Sequence, residues 1–112
     1  MKFLKLFAGL KKMREFERLQ LPFIGSFIDF DIIIEVGYAQ EQDQTFTPKQ
    51  LFLLQIASDT TVRRRLAKLT EQGIVTRRPN TNDRRSDFLT LSPSSLKVLD
   101  RYGVVLSGFG SI

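Results

Sequence analysis

The feature that most restricts how this chain folds is a pair of helix starts placed close together, at Thr47 and Ser58. Thr47-Pro48-Lys49-Gln50 supplies an N-cap hydroxyl, a proline at the first helical position and a glutamine three residues after the cap. Ser58 ends that helix after Ala57 and starts another, in which Val62, Leu66 and Leu69 recur at i, i+4 and i+7 and must face a core. Gly73 stands where a helix closes on a left-handed residue. Two short helices joined by a tight turn have the spacing of a helix-turn-helix.

The flanking segments extend this pattern. Phe27 to about Gln42 carries Phe27, Ile28, Phe30, Ile32, Ile33, Ile34 and Val36. Such a β-branched run also suits a buried strand, but its length and the polar Asp29, Asp31 and Glu35 favour a core helix. With no histidine nearby, those three carboxylates read as a solvated helix face rather than a metal cluster. Upstream, Met1 to about Leu19 is an amphipathic helix, with Phe3, Leu6, Phe7, Leu10 and Met13 at helical spacing and Pro22 beyond its end. Its apolar run is interrupted by Lys5 and stopped by Lys11-Lys12, too short for a secretory signal or a membrane span.

After Gly73 the period changes. Ile74-Val75-Thr76-Arg77-Arg78 leads into the turn-rich Pro79-Asn80-Thr81-Asn82-Asp83, and Phe88-Leu89-Thr90-Leu91 returns, which predicts a hairpin with a basic tip. Ser92-Pro93 starts a fifth helix carrying Leu96, Leu99 and Leu106, with a fraying tail at Gly108 and Gly110.

A length of 112 residues allows one core, so a single domain over 1–112 is expected: an N-terminal helix (1–21), a central body (22–92) and a C-terminal helix and tail (93–112). The chain has no cysteine, histidine or tryptophan. Disulfides, thiolate chemistry, imidazole bases and histidine-ligated metals are thereby excluded. No catalytic residue and no cofactor is expected, and the chain does not read as an enzyme. The formal charge of +5 is unevenly placed. Residues 1–21 sum to +4, residues 22–57 to −4, residues 58–92 to +4 and the remainder to +1. Two basic blocks around an acidic one favour an anionic partner for the segment at 58–92.

Three helices followed by a basic hairpin is the element order of a winged helix-turn-helix, mainly α with a small β-hairpin. The exposed face of the fourth helix holds Thr60, Thr61, Arg63, Arg64, Arg65 and Lys68, with Ser58 at its start. A helix fits the DNA major groove, where arginine grips guanine bidentately and threonine offers a hydroxyl and a methyl group. The hairpin adds Arg77, Arg78, Arg84 and Arg85, with Asn80 and Asn82 as hydrogen-bonding neighbours. An arginine on its tip suits a narrow, electronegative minor groove. Asp83 is positioned to orient one of these arginines through a charge-assisted pair.

The run Ser58-Asp59-Thr60-Thr61-Val62-Arg63-Arg64, then Leu66, Leu69 and Gly73-Ile74-Val75, and the step Asp83-Arg84-Arg85 before Leu91-Ser92, resembles the MarR-type winged-helix transcriptional regulators. Phe30 to Glu35 followed by Thr47 to Leu51 is similar to the helices that precede recognition in that family. The resemblance spans about residues 26–100. It implies that Thr60, Thr61 and Arg64 face bases or phosphates in the major groove, from a recognition helix at about 58–72. It also implies that Arg85 is the minor-groove arginine of a wing at about 74–91, supported by Asp83. Arg65 stands where the family carries an apolar residue. The C-terminal dimerisation region reads as shortened relative to the family's long helical pair.

The resulting expectation is a cytoplasmic, sequence-specific regulator that binds double-stranded DNA as a homodimer, has an unknown small-molecule effector if any, and does not engage a membrane. The N-terminal helix admits pairing against the second helix or a second copy, surface binding to a membrane, or recruitment of a partner; pairing is the expected use. The ten phenylalanines lie mainly in helical segments and suit a core and dimer interface better than base stacking. The alternative function is a protein-interaction module that keeps the winged fold without specific DNA binding.

Overall fold

A computed structural model of the chain describes residues 4–21, 26–79 and 87–110, with the backbone alone described for 4–6 and 104–110. The elements run α1 (Leu4–Gln20), α2 (Phe27–Glu41), α3 (Pro48–Leu53), α4 (Asp59–Glu71), β1 (Val75–Pro79), β2 (Asp87–Leu91) and α5 (Pro93–Gly110). They form two compact units, one of residues 26–93 and one joining residues 1–25 with 94–112. The mainly helical winged helix-turn-helix read from the sequence is the fold of the first unit.

Local chemistry sets the helix starts in that unit. At α3, Gln50 N–H donates to Thr47 Oγ1 (3.2 Å) and Thr47 N–H to Gln50 Oε1 (2.8 Å), a reciprocal capping box. Ser58 caps α4 by accepting from Thr61 N–H (3.3 Å), and Ser26 caps α2 by accepting from Asp29 N–H (3.2 Å). Gly73 ends α4 at φ +74, the left-handed conformation that glycine adopts without a Cβ penalty.

Helix α3 is shorter than expected. It ends at Leu53, and Gln55 takes φ +53 in the turn before Ser58. The sequence has no glycine between Leu53 and Ser58 to announce that reversal. A side chain held at positive φ costs about 1–2 kcal/mol, which the packing on either side of the turn must offset.

The core is made by α2, α4 and the hairpin. Ile32, Ile33 and Val36 of α2 and Val62, Leu66 and Leu69 of α4 are buried with Leu51, Ile74, Val75, Leu89 and Leu91. Helix α2 packs on α4 and β2, α3 on α4 and β2, and α4 on β1. The strands are antiparallel, pairing Val75 with Leu91 at the core end and Pro79 with Asp87 at the outer end. The far edge of β2 is also satisfied: Leu89 N–H donates to the Phe46 carbonyl (2.7 Å) and Leu91 N–H to Gln40 Oε1 (2.9 Å). The base of the hairpin is thereby tied to α2 and to the segment before α3.

In the other unit Phe16 and Tyr102 meet with ring centroids 5.3 Å apart, and the Tyr102 hydroxyl donates to Glu17 Oε2 (3.0 Å). Arg14 pairs with the same carboxylate at 2.9 Å. Burial, with the hydrogen bond to Glu17, pushes the Tyr102 phenol up to about 12. Of the apolar stripe expected for the first helix, Phe7 and Leu10 are exposed and Met13 is half-buried, while the side chains of Phe3 and Leu6 lie outside the described residues. Leu96 of α5 is exposed as well, and α5 continues through Gly110 without the fraying read from its glycines.

Candidate functional site

Helix α4 sorts its side chains by angle. At about 100° per residue, Val62, Leu66 and Leu69 fall within about 60° of one another, and all three are buried. Thr60 and Arg64 project from the opposite side, with Arg63 on one flank and Thr61 and Lys68 on the other. Thr60, Arg63, Arg64 and Lys68 are exposed, and Thr61 is half-buried. Thirteen residues make α4 roughly 20 Å long at about 1.5 Å per residue. Its acidic groups, Asp59 and Glu71, sit at its two ends.

Two of the side chains are already engaged at the start of the helix. The Ser58 hydroxyl, besides capping α4, donates to Thr61 Oγ1 at 2.9 Å. Arg63 lies over the ring of Phe52 on α3, its guanidinium carbon 4.9 Å from the centroid. That distance is a cation–π contact, which restricts the arginine while leaving its N–H donors exposed. Phe52 is thus a platform for a basic side chain.

Arg65 departs from the expected exposed face. It lies only about 40° around the helix from Leu69, beside the buried stripe. Its Nε donates to Asp29 Oδ1 at 2.6 Å and its Nη2 to Asp29 Oδ2, a two-pronged pair with the first turn of α2. The side chain is 19% exposed, and that of Asp29 1%. Asp29 was expected on a solvated acidic face; the structure buries it instead. A carboxylate so enclosed needs a compensating charge, and Arg65 supplies it together with the favourable N-terminal end of α2. The hydrogen bonds that Arg65 donates to Asp29 in turn hold its guanidinium above its usual pKa. Asp31 remains exposed and Glu35 half-buried.

The basic surface continues onto the hairpin, where Arg77 and Arg78 are exposed on β1. Asn80, Asn82, Asp83, Arg84 and Arg85 lie outside the described residues. The structure therefore brings Thr60, Arg63, Arg64 and Lys68 together on one helix and places Arg77 and Arg78 on the strand packed against it. It turns Arg65 toward α2. Among the described residues no group of acidic side chains is arranged to hold a metal ion, and no helix is long and apolar enough to cross a membrane.

No protein-family model and no curated protein matches the chain. Solved structures do. MepR of S. aureus in complex with DNA has a TM-score of 0.73 at 16% identity, over 99% of this chain and 81% of that one. A transcriptional regulator from Thermotoga maritima has a TM-score of 0.65 at 21% identity, over 98% and 76%. A mutant MarR from E. coli complexed with operator DNA has a TM-score of 0.59 at 19% identity, over 90% and 70%. These likenesses establish that the chain has the winged-helix fold of such regulators.

Proposed function

We propose that this chain is a MarR-type transcriptional regulator that binds double-stranded DNA, and that it acts as a cytoplasmic homodimer on a two-fold symmetric operator. Helix α4 enters the major groove and the hairpin reaches the adjacent minor groove. The observation that carries this reading is the division of α4 into a buried apolar stripe and an opposite face bearing Thr60, Arg63, Arg64 and Lys68, beside Arg77 and Arg78 of β1. Two of the solved structures with this fold are bound to DNA.

The mechanism is occupancy. Arginine and lysine neutralise phosphates and release counterions, which supplies most of the affinity whatever the sequence. Thr60, Thr61 and Arg64, nearest the groove floor, supply base choice. Arg63, restrained by Phe52, and Lys68 suit phosphates on either side. Arg85 of the wing takes the minor groove with Asp83 as its support. Exposed Phe7 and Leu10, about 60° apart on α1, are apolar surface for the second copy to cover.

The test is sedimentation with and without random-sequence duplex, followed by selection of bound sequences and a salt titration. Wild type should bind random duplex at low salt and lose affinity linearly in log salt. Arg64→Ala should relax base preference at one position of each half-site, costing about 1–3 kcal/mol on the selected site. A monomer that leaves random duplex unshifted at low salt would refute the reading. It would favour instead a protein-interaction module, for which Phe27, Ile34 and Tyr38 form an exposed apolar strip on α2.

A further inference from the structure

We propose that Asp29 is a positioning residue for DNA recognition: acting through Arg65, it sets the rotation of α4 about its own axis, and so the direction in which Thr60 and Arg64 point. The inference rests on the DNA-binding reading of the same helix. Three consecutive arginines leave α4 at steps of about 100° and meet three different surroundings. Arg63 lies over Phe52 of α3, Arg64 is exposed, and Arg65 is turned into Asp29 of α2.

The apolar stripe holds α4 against the core, but apolar burial has no preferred direction and tolerates small rotations. A guanidinium–carboxylate fork does not, because two parallel hydrogen bonds must keep both length and plane. The carboxylate end of the fork is anchored in turn, since Asp29 sits in the first turn of α2 with its N–H bonded to the Ser26 cap. The lever is large enough to matter. With side chains reaching about 6 Å from the helix axis, a rotation of about 20° moves their tips by about 2 Å, which breaks a hydrogen bond to a base edge.

The experiment compares wild type with Asp29→Asn, Arg65→Gln and the double variant, on the selected operator and on random duplex, with salt titrations for each. Positioning predicts that each single variant weakens the operator complex about tenfold and random duplex by much less. It also predicts unchanged salt slopes, and a double variant no weaker than the worse single one. A drop of about 0.9 in slope for Arg65→Gln alone would make Arg65 a phosphate contact and overturn the proposal. Equal loss on both duplexes, in step with lost thermal stability, would reduce the pair to a structural one and overturn it too.

Hydrogen exchange covers variants that bind nothing or fold poorly, with the double variant as the form that leaves no lone buried charge. Faster exchange of α4 amides in Asp29→Asn, with those of β1 and β2 unchanged, supports the tether; unchanged α4 exchange refutes it. If wild type itself binds no duplex, the DNA reading fails while the exchange result still decides whether Asp29 holds α4.

Discussion

Alanine in place of Gly37, Gly73 or Gly103 is one chemical change in three surroundings, and the structure assigns each a different outcome. Gly37 and Gly103 are both in helices, where alanine is favoured over glycine by about 1 kcal/mol. At Gly103 an added Cβ meets nothing within 4 Å, so the full gain of about 1 kcal/mol is expected. At Gly37 the same atom would stand 3.1 Å from Leu91 Cδ1, where α2 crosses β2. Overpacking costs about 1–3 kcal/mol, so the helix gain leaves a net destabilisation of about 0–2 kcal/mol. Gly73 has open space but φ +74. There alanine costs about 1–2 kcal/mol in the left-handed region, partly offset by about 0.4–1 kcal/mol from a less flexible unfolded chain.

Urea unfolding followed by circular dichroism, with m values compared across the set, reads these differences directly. Leu91→Val is the internal control. It removes the δ-methyl groups, so Gly37→Ala should cost less in that background, by about 1 kcal/mol. Gly37→Ala stabilising as much as Gly103→Ala in both backgrounds would show that Leu91 does not crowd the added methyl group. A stabilising Gly73→Ala would show that residue 73 is not held at positive φ.

Other expectations follow from single groups. Thr47→Ala removes one half of the capping box and should cost about 1 kcal/mol, measured by urea midpoint; Gln50→Ala in that background should then cost less than it does alone. Leu66→Ala, at a fully buried position, should cost about 2–5 kcal/mol, and a loss under 1 kcal/mol would show that α4 does not pack as described. Tyr102 ionises near pH 12 when folded and near pH 10 when unfolded, so its protonated form favours the folded state. That contribution is complete below pH 10 and is lost as pH rises toward 12, because the unfolded chain releases the proton first. The difference in alkaline phenolate absorbance between wild type and Tyr102→Phe should titrate near 12; a midpoint near 10 would mean that the phenol is neither buried nor held by Glu17.

Much of the fold was legible because its signals are local. The capping box at Thr47, the cap at Ser58, the buried triplet on α4 and the stop at Gly73 each lie within one or two helical turns. The candidate surface was legible as composition, a cluster of cations on one helix and the next strand. The use of individual side chains was not. Nothing in the neighbourhood of Phe52 in the sequence marks it as a partner for a cation, and only the placement of α3 beside α4 puts its ring under Arg63. The turn at Gln55 was hidden because a glutamine is not the residue that a left-handed position favours.

The sequence by itself determined where α2, α3, α4 and α5 begin, where α4 stops, the period change into the hairpin and the excess of positive charge at 58–92. These depend on contacts between residues a few positions apart, and the chain's own chemistry settles them. Tertiary structure alone decided what Arg65, the one of three adjacent arginines beside the apolar stripe, meets there. Arg65 and Asp29 are 36 residues apart, and neither position declares its partner. Burying either charge alone is costly, whereas burying both together is tolerated. Only the packing of α2 against α4 brings them together, leaving Arg64 on the face turned away from the core.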